Sequence, residues 1–181
     1  MPLTINNIYE KFTDLYWPTI NNYNANIAGL TSNSILEERF LSEYRASLKW
    51  ILKHCGTLVP PKASSSALVI AQQFNIDLFR LQWKDQPRAE MIINGISGRN
   101  IFIHEHQFPV SDLFEEILNA FDKDSVLKIF QKQSIVWITK EENSRLPTNR
   151  RYLLNEYELA NIKFENNPYG DLWMEGNFKI N

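Results

Sequence analysis

The 181-residue sequence predicts an α+β protein with a mostly helical N-terminal half, a strand–strand–helix core near residues 99–151 and a C-terminal helix. Three observations predict this class. Apolar residues recur at helical spacing through much of the first 73 positions. Two short apolar runs, Asn100-Ile101-Phe102-Ile103 and the β-branched Ser134-Ile135-Val136-Trp137-Ile138-Thr139, read as strands. The second run leads directly into Lys140-Glu141-Glu142, and the Thr139-x-x-Glu142 spacing is a capping box that starts a helix at Lys140.

Taken in order, residues 4–17 carry Ile5, Ile8, Tyr9, Phe12, Leu15 and Tyr16 on a helical period, and Pro18 is expected to end that helix. Residues 19–33 are rich in Asn and read as loop or weak helix. Ser34-Ile35-Leu36-Glu37 is a second capping box, and Leu36, Phe40, Leu41, Tyr44, Leu48, Ile51, Leu52 and Cys55 mark a long amphipathic helix. Gly56 is placed to be its C′ residue. Pro60-Pro61 breaks the chain, and Ser64-Ser65-Ser66 can cap a helix running through Gln73. Residues 66–81, with Phe74-Asn75-Ile76 at a turn, are loosely like a helix-turn-helix. Asn94-Gly95 and Ser97-Gly98 read as tight turns. A helical stretch is expected at 111–131, and Asn149 to Ile162 fits a further helix with Leu153, Leu154, Tyr157 and Ala160 inward. The remaining tail is too aromatic to be left unpacked. The expected organisation is a helical N-terminal region over 1–98, a core over 99–151, and a C-terminal helix with a packed tail over 152–181, folded together as one unit.

The residues that suggest chemistry lie at the end of the first strand, in Ile103-His104-Glu105-His106-Gln107-Phe108-Pro109-Val110. A carboxylate can hold a hard divalent cation through oxygen, and an imidazole that titrates near neutrality can take a proton from water. Together they suit metal-assisted hydrolysis. The strand carrying Glu105-His106-Gln107-Phe108-Pro109, followed by a second strand and a helix carrying Asn143, resembles the HNH endonucleases of the ββα-metal superfamily. The first family motif reads acidic-His-x-x-Pro, and the last is matched by Ile138-Thr139-Lys140-Glu141-Glu142-Asn143-Ser144-Arg145-Leu146. The resemblance covers residues 99–151. It implies His106 as general base, Glu105 and Asn143 at the metal, and Mg²⁺ or Mn²⁺ as the ion. It puts Ser134 where the family has an Asn that orients the histidine, with Gln133 as an alternative to it. The implied activity is hydrolysis of DNA phosphodiesters by a restriction or phage-defence enzyme. A non-enzymatic regulator that binds protein or nucleic acid is the competing expectation. A third reading uses His104 and His106 with Glu105 as a zinc site on a strand.

Composition bounds these readings. Apolar residues make up 44% of the chain, and five Trp supply ample core. The formal net charge is −2, so no global basic field draws in nucleic acid. Basic residues do cluster locally, and the expected nucleic-acid contacts are Lys84, Gln86, Arg88 and Arg99 before the second strand, with Lys140, Arg145 and Arg150 after it. DNA is the expected partner, and a homodimer would suit symmetric sites. Cys55 is the only cysteine, so neither a disulfide nor the structural zinc of a Cys-x-x-Cys pair is expected. The chain shows no basic-then-apolar leader and no long apolar run. It is therefore expected to be soluble and cytoplasmic, with no membrane partner.

Overall fold

The structure is a computed structural model that describes residues 4–23, 25, 34–86, 91–147 and 154–174. It has an α+β architecture, dominated by helices with a small mixed sheet. The chain divides into two units, residues 1–58 with 109–133, and residues 59–108 with 134–181.

The first unit is helical. Its elements are α1 (Ile5–Asn22), α2 (Ile35–Gly56), α4 (Val110–Leu118) and α5 (Lys123–Gln131). Thr4 caps α1 in a capping box with Asn7, and Ser34 caps α2 by accepting from the Glu37 amide. α1 does not stop at Pro18, as its sequence suggests, but runs on to Asn22. The apolar stripe continues past the proline, and fully buried Ile20 holds the last turn in place. Gly56 is likewise the last residue of α2 rather than its C′ residue, and Thr57 caps the helix in a right-handed conformation. Tyr16 is central to this core. It is fully buried, its hydroxyl donates to the Leu48 carbonyl, and its ring meets Phe130 edge-on at 5.5 Å. Gln133 is buried too, and its amide donates to the Leu52 carbonyl at 3.0 Å. Cys55 packs as a small hydrophobe, as expected, and burial pushes its thiol pKa up to about 12.

The second unit is built on a four-stranded sheet of order β4-β5-β1-β6, comprising β1 (Lys62–Ser64), β4 (Phe102–His106), β5 (Ile135–Thr139) and β6 (Phe164–Glu165). β5 runs antiparallel to β4 and parallel to β1, and β6 is antiparallel to β1. All five residues of β5 are buried, as their continuous apolar run requires. Strand alternation sorts the side chains to two faces. Phe102 and Trp137 join Ala63, Leu78 and Met91 on one face, under α3 (Ser65–Gln73). Val136 and Ile138 pack with Leu146, Tyr157 and Ile162 on the other, near α6 (Lys140–Arg145) and α7 (Leu154–Leu159). A hairpin of β2 (Ile92–Ile93) and β3 (Ile96–Ser97) turns at Asn94-Gly95, both with positive φ (51° and 77°). This is why that pair reads as a turn in the sequence.

One expectation for this unit changes. The second helix of the helix-turn-helix does not form: α3 ends, Asn75 adopts a left-handed conformation (φ 56°), and only a single 3-10 turn follows at Leu78–Arg80. β5 has β1 as a second neighbour beside β4. The helical stretch expected at 111–131 is present as α4 and α5, which belong to the first unit. Of the C-terminal helix, Leu154–Leu159 is formed, and the part expected at 149–153 lies outside the described residues.

The two parallel strands are tied together where their helices begin. Glu142 is 2% exposed, and its Oε2 accepts from the Thr139 amide at 2.9 Å and from Ser64 Oγ at 2.6 Å. Ser64 Oγ in turn accepts from the Ala67 amide and caps α3. One carboxylate therefore closes the capping box of α6 and orients the cap of α3. Glu142→Ala leaves two buried donors without their acceptor, and the expected loss of stability is about 2–4 kcal/mol. Urea unfolding with a smaller loss for Glu142→Gln would agree with this account, whereas equal losses would count against it.

Candidate functional site

The strand end that carries His104, Glu105 and His106 is β4, and the β5 ladder fixes what each side chain faces. His104 lies opposite Trp137, Glu105 opposite Val136, and His106 opposite Ile135. His104 and His106 therefore share the Trp137 face, and Glu105 points to the other. The contacts agree with this. The His104 ring packs on the Trp137 indole, with centroids 4.3 Å apart, whereas Glu105 Oε1 accepts from the Tyr157 hydroxyl at 3.0 Å, on the face of Val136 and Ile138. Sequence neighbours that read as one site are thus divided by the sheet.

The other expected members of the site are placed as follows. Ser134 stands at the entrance to β5, buried, but its hydroxyl proton goes to Gln107 Oε1 at 2.8 Å. The Gln107 amide also donates to the Ser134 carbonyl, so this pair closes the end of the ladder. Gln133, the alternative orienting residue, is engaged in the first unit with Leu52. Asn143 lies half-buried on α6, with its Oδ1 buried and making no hydrogen bond. α6 starts after Thr139, three residues along the ladder from the position opposite Glu105, roughly 10 Å away. Among the described residues no three His, Cys, Asp or Glu side chains are grouped to hold a metal ion. The donors expected to hold a divalent cation, Glu105 and Asn143, do not fit one ion as they stand, because the register sets Glu105 back from the helix that carries Asn143, and the expected base His106 faces away from Glu105. The proposed zinc set is divided in the same way, because Glu105 faces away from both histidines.

The expected nucleic-acid contacts are placed unevenly. Lys84, Arg99, Lys140 and Arg145 are exposed. Gln86 is not available at the surface: it is 3% exposed, and its amide donates to the Phe102 carbonyl at 3.0 Å, which makes it a brace for β4. Arg88 and Arg150 lie outside the described residues.

Sequence reasoning did not pair these cations with their aromatic partners. The guanidinium of Arg99 lies over the Trp83 ring, 5.0 Å from its centroid, and the indole is 57% exposed. Arg80, which is ion-paired with Asp77, lies 3.9 Å over the Tyr169 ring, and the Tyr169 hydroxyl donates to Asp77 at 2.6 Å. Short 3-10 turns at Leu78–Arg80 and Trp83–Asp85 present Arg80 and Trp83. The alternation of Arg80, Trp83 and Lys84 was the available signal. Its meaning depended on Arg99 and Tyr169, which are remote in the chain.

Compared with protein-family models, with curated proteins and with solved structures, the chain matches none of them. Among the described residues, no helix is long and apolar enough to cross a membrane.

His104 is electrostatically perturbed by its place on this strand. Burial holds its imidazole pKa down at about 3, and the charge of protonated His106 acts in the same direction. The folded state therefore favours neutral His104, while the unfolded chain takes up a proton near its ordinary value of 6.5. Stability from this group is fully present above pH 6.5 and falls as the pH drops from there toward 3. Urea midpoints measured across that window should decline for the wild type. His104→Gln should flatten the dependence, and an unchanged slope would show that another group governs it.

Proposed function

We propose that this protein binds nucleic acid through the basic and aromatic surface of the second unit. The observation that carries the reading is the exposed Trp83 ring with the Arg99 guanidinium over it and Lys84 beside it in the chain. An exposed indole offers a face on which a base can stack, and the neighbouring cations can meet phosphate. With a net charge of −2, attraction comes from this local surface rather than from the whole molecule. Salt dependence should accordingly be modest. Of the readings the sequence leaves open, a binding protein asks least of the Glu105–His106 strand, whose two side chains face apart.

Hydrolysis of phosphodiesters in the HNH manner is the second reading. It is supported by the order of elements: β4 and β5 are adjacent and antiparallel, and α6 follows β5 at once. Its requirement is that Glu105, His106 and Asn143 converge, which takes a different arrangement of the strand end. Since the donors do not fit an ion as placed, no catalytic step is assigned to one.

Two measurements separate these readings. Fluorescence anisotropy with labelled single- and double-stranded oligonucleotides should detect binding. Trp83→Ala should weaken it by about 1–3 kcal/mol if a base stacks there, and Arg99→Ala should lower the salt slope by about one. Loss of neither would sink the binding surface. Plasmid incubated with Mg²⁺ or Mn²⁺ should remain intact if the protein only binds. Nicking that disappears in His106→Ala, by a factor on the order of 10²–10⁴, would establish the hydrolytic reading instead.

A further inference from the structure

Trp83 and Arg99 stand on two tight turns that the core of the second unit holds from beneath. Trp83 opens a single 3-10 turn (Trp83–Asp85), and the buried Asp85 carboxylate braces it by accepting from the Gln82 amide at 2.8 Å. Arg99 lies in a second 3-10 turn (Gly98–Asn100), capped by Ser97, whose hydroxyl also donates to the Gln86 carbonyl at 3.3 Å and so joins the two turns. The second turn sits close on Met91: a Cβ at Gly98 would stand 2.9 Å from the Met91 Cβ. The indole is therefore exposed yet held in place, and little ordering is left for a ligand to impose. Among the described residues neither Arg99 nor Lys84 has an ion-pair partner, whereas Arg80 is paired with Asp77.

Given the nucleic-acid reading of this surface, on which the inference rests, we propose that its ligand is a single strand. One unstacked base lies on the indole of Trp83, and Arg99 and Lys84 meet the flanking phosphates. A duplex keeps its base faces stacked on one another and shows a protein only groove edges and phosphates. It is read by a helix or a two-stranded ribbon that enters a groove, with cations along the backbone. Among the described residues the second unit has no such reader. α3 and α7 carry no Lys or Arg, and α6 has two cations in only six residues. The β2–β3 ribbon carries none either, and its exposed side chains include Ile92 and Ile96. What the surface does offer is an aromatic face with uncommitted cations at its edge. That combination meets a base whose own face is free, and it tolerates any base, since every base has a π-face. Base and phosphate are common to DNA and RNA, so either sugar suits it.

The test uses the full chain and fluorescence anisotropy. The labelled probes are oligothymidylate and oligouridylate of about 12 nucleotides, a DNA hairpin duplex of similar length, and an abasic deoxyribose-phosphate strand. At least one of the two single strands should bind about tenfold tighter than the duplex or better. The abasic strand should lose that advantage, because it keeps the phosphates and lacks the base. Trp83→Ala should weaken single-strand binding by about 5- to 100-fold, Trp83→Phe should keep part of it, and neither should change what binding the duplex shows. Trp83 is exposed, and unchanged thermal unfolding of both variants will confirm that the fold is kept. A duplex bound as tightly as the single strands, with Trp83→Ala harmless and Arg99→Ala still weakening binding, would overturn the single-strand inference and leave the nucleic-acid reading standing. An abasic strand bound as well as oligothymidylate would do the same. Failure of all four probes to bind would overturn both.

Discussion

Strand β5 contributes Ile135 to Thr139, and all five residues are buried, the central three completely. β4 pairs with it on one edge and β1 on the other, so its backbone groups are committed as well. Burying both faces at about 25 cal/mol per Å² of apolar surface makes this strand the element around which the second unit is assembled. Trp137 illustrates the demand. It is fully buried, it meets Phe102 edge-on, it lies opposite Ala63 in the parallel ladder, and His104 packs on it. A small residue at 63 is what the close approach of β1 permits.

The constraint reaches the candidate site through register. Because β4 is locked against β5 residue by residue, the direction of every side chain in His104-Glu105-His106 is decided by its partner. His104 is pressed onto an indole and kept neutral, Glu105 is drawn to Tyr157, and His106 falls on the face opposite Glu105. A slip of one residue would reverse all three. The Gln107–Ser134 pair and the buried amide of Gln86 on the Phe102 carbonyl hold the two ends of β4 and prevent that slip. Polar residues that suggest function by their chemistry are here part of the device that fixes the strand.

The same tertiary logic explains which local signals were readable. Thr139-x-x-Glu142 starts a helix because the cap is satisfied within four residues, and it is found where the spacing places it. That Glu142 also takes a hydrogen bond from Ser64 has no local signature, since 78 residues lie between them. Asn94-Gly95 reads as a hairpin turn because both residues tolerate positive φ. Pro18 misleads because the cost of a missing amide is local, while the benefit of burying Ile20 depends on the rest of the helical core. The motif around Glu105 and His106 was legible as lettering and as a strand end. Its division between two faces could not be foreseen without knowing that the strand stays regular through His106, with both faces of the sheet covered by packed side chains.

By itself the sequence determined the α+β class, the main helices with the N-caps of α2, α3 and α6, a strand that overlaps β4, and β5 with its burial. These follow from periodicity and capping, whose energies are settled over a few residues. Only the tertiary structure decided that β1 joins β5 in parallel, that Gln86 turns inward, that Arg99 lies over Trp83 and that Glu105 and His106 face apart. Each of these is a contact between groups distant in the chain, or a consequence of one. Which of them form depends on the packing of the folded unit, which local preferences do not specify.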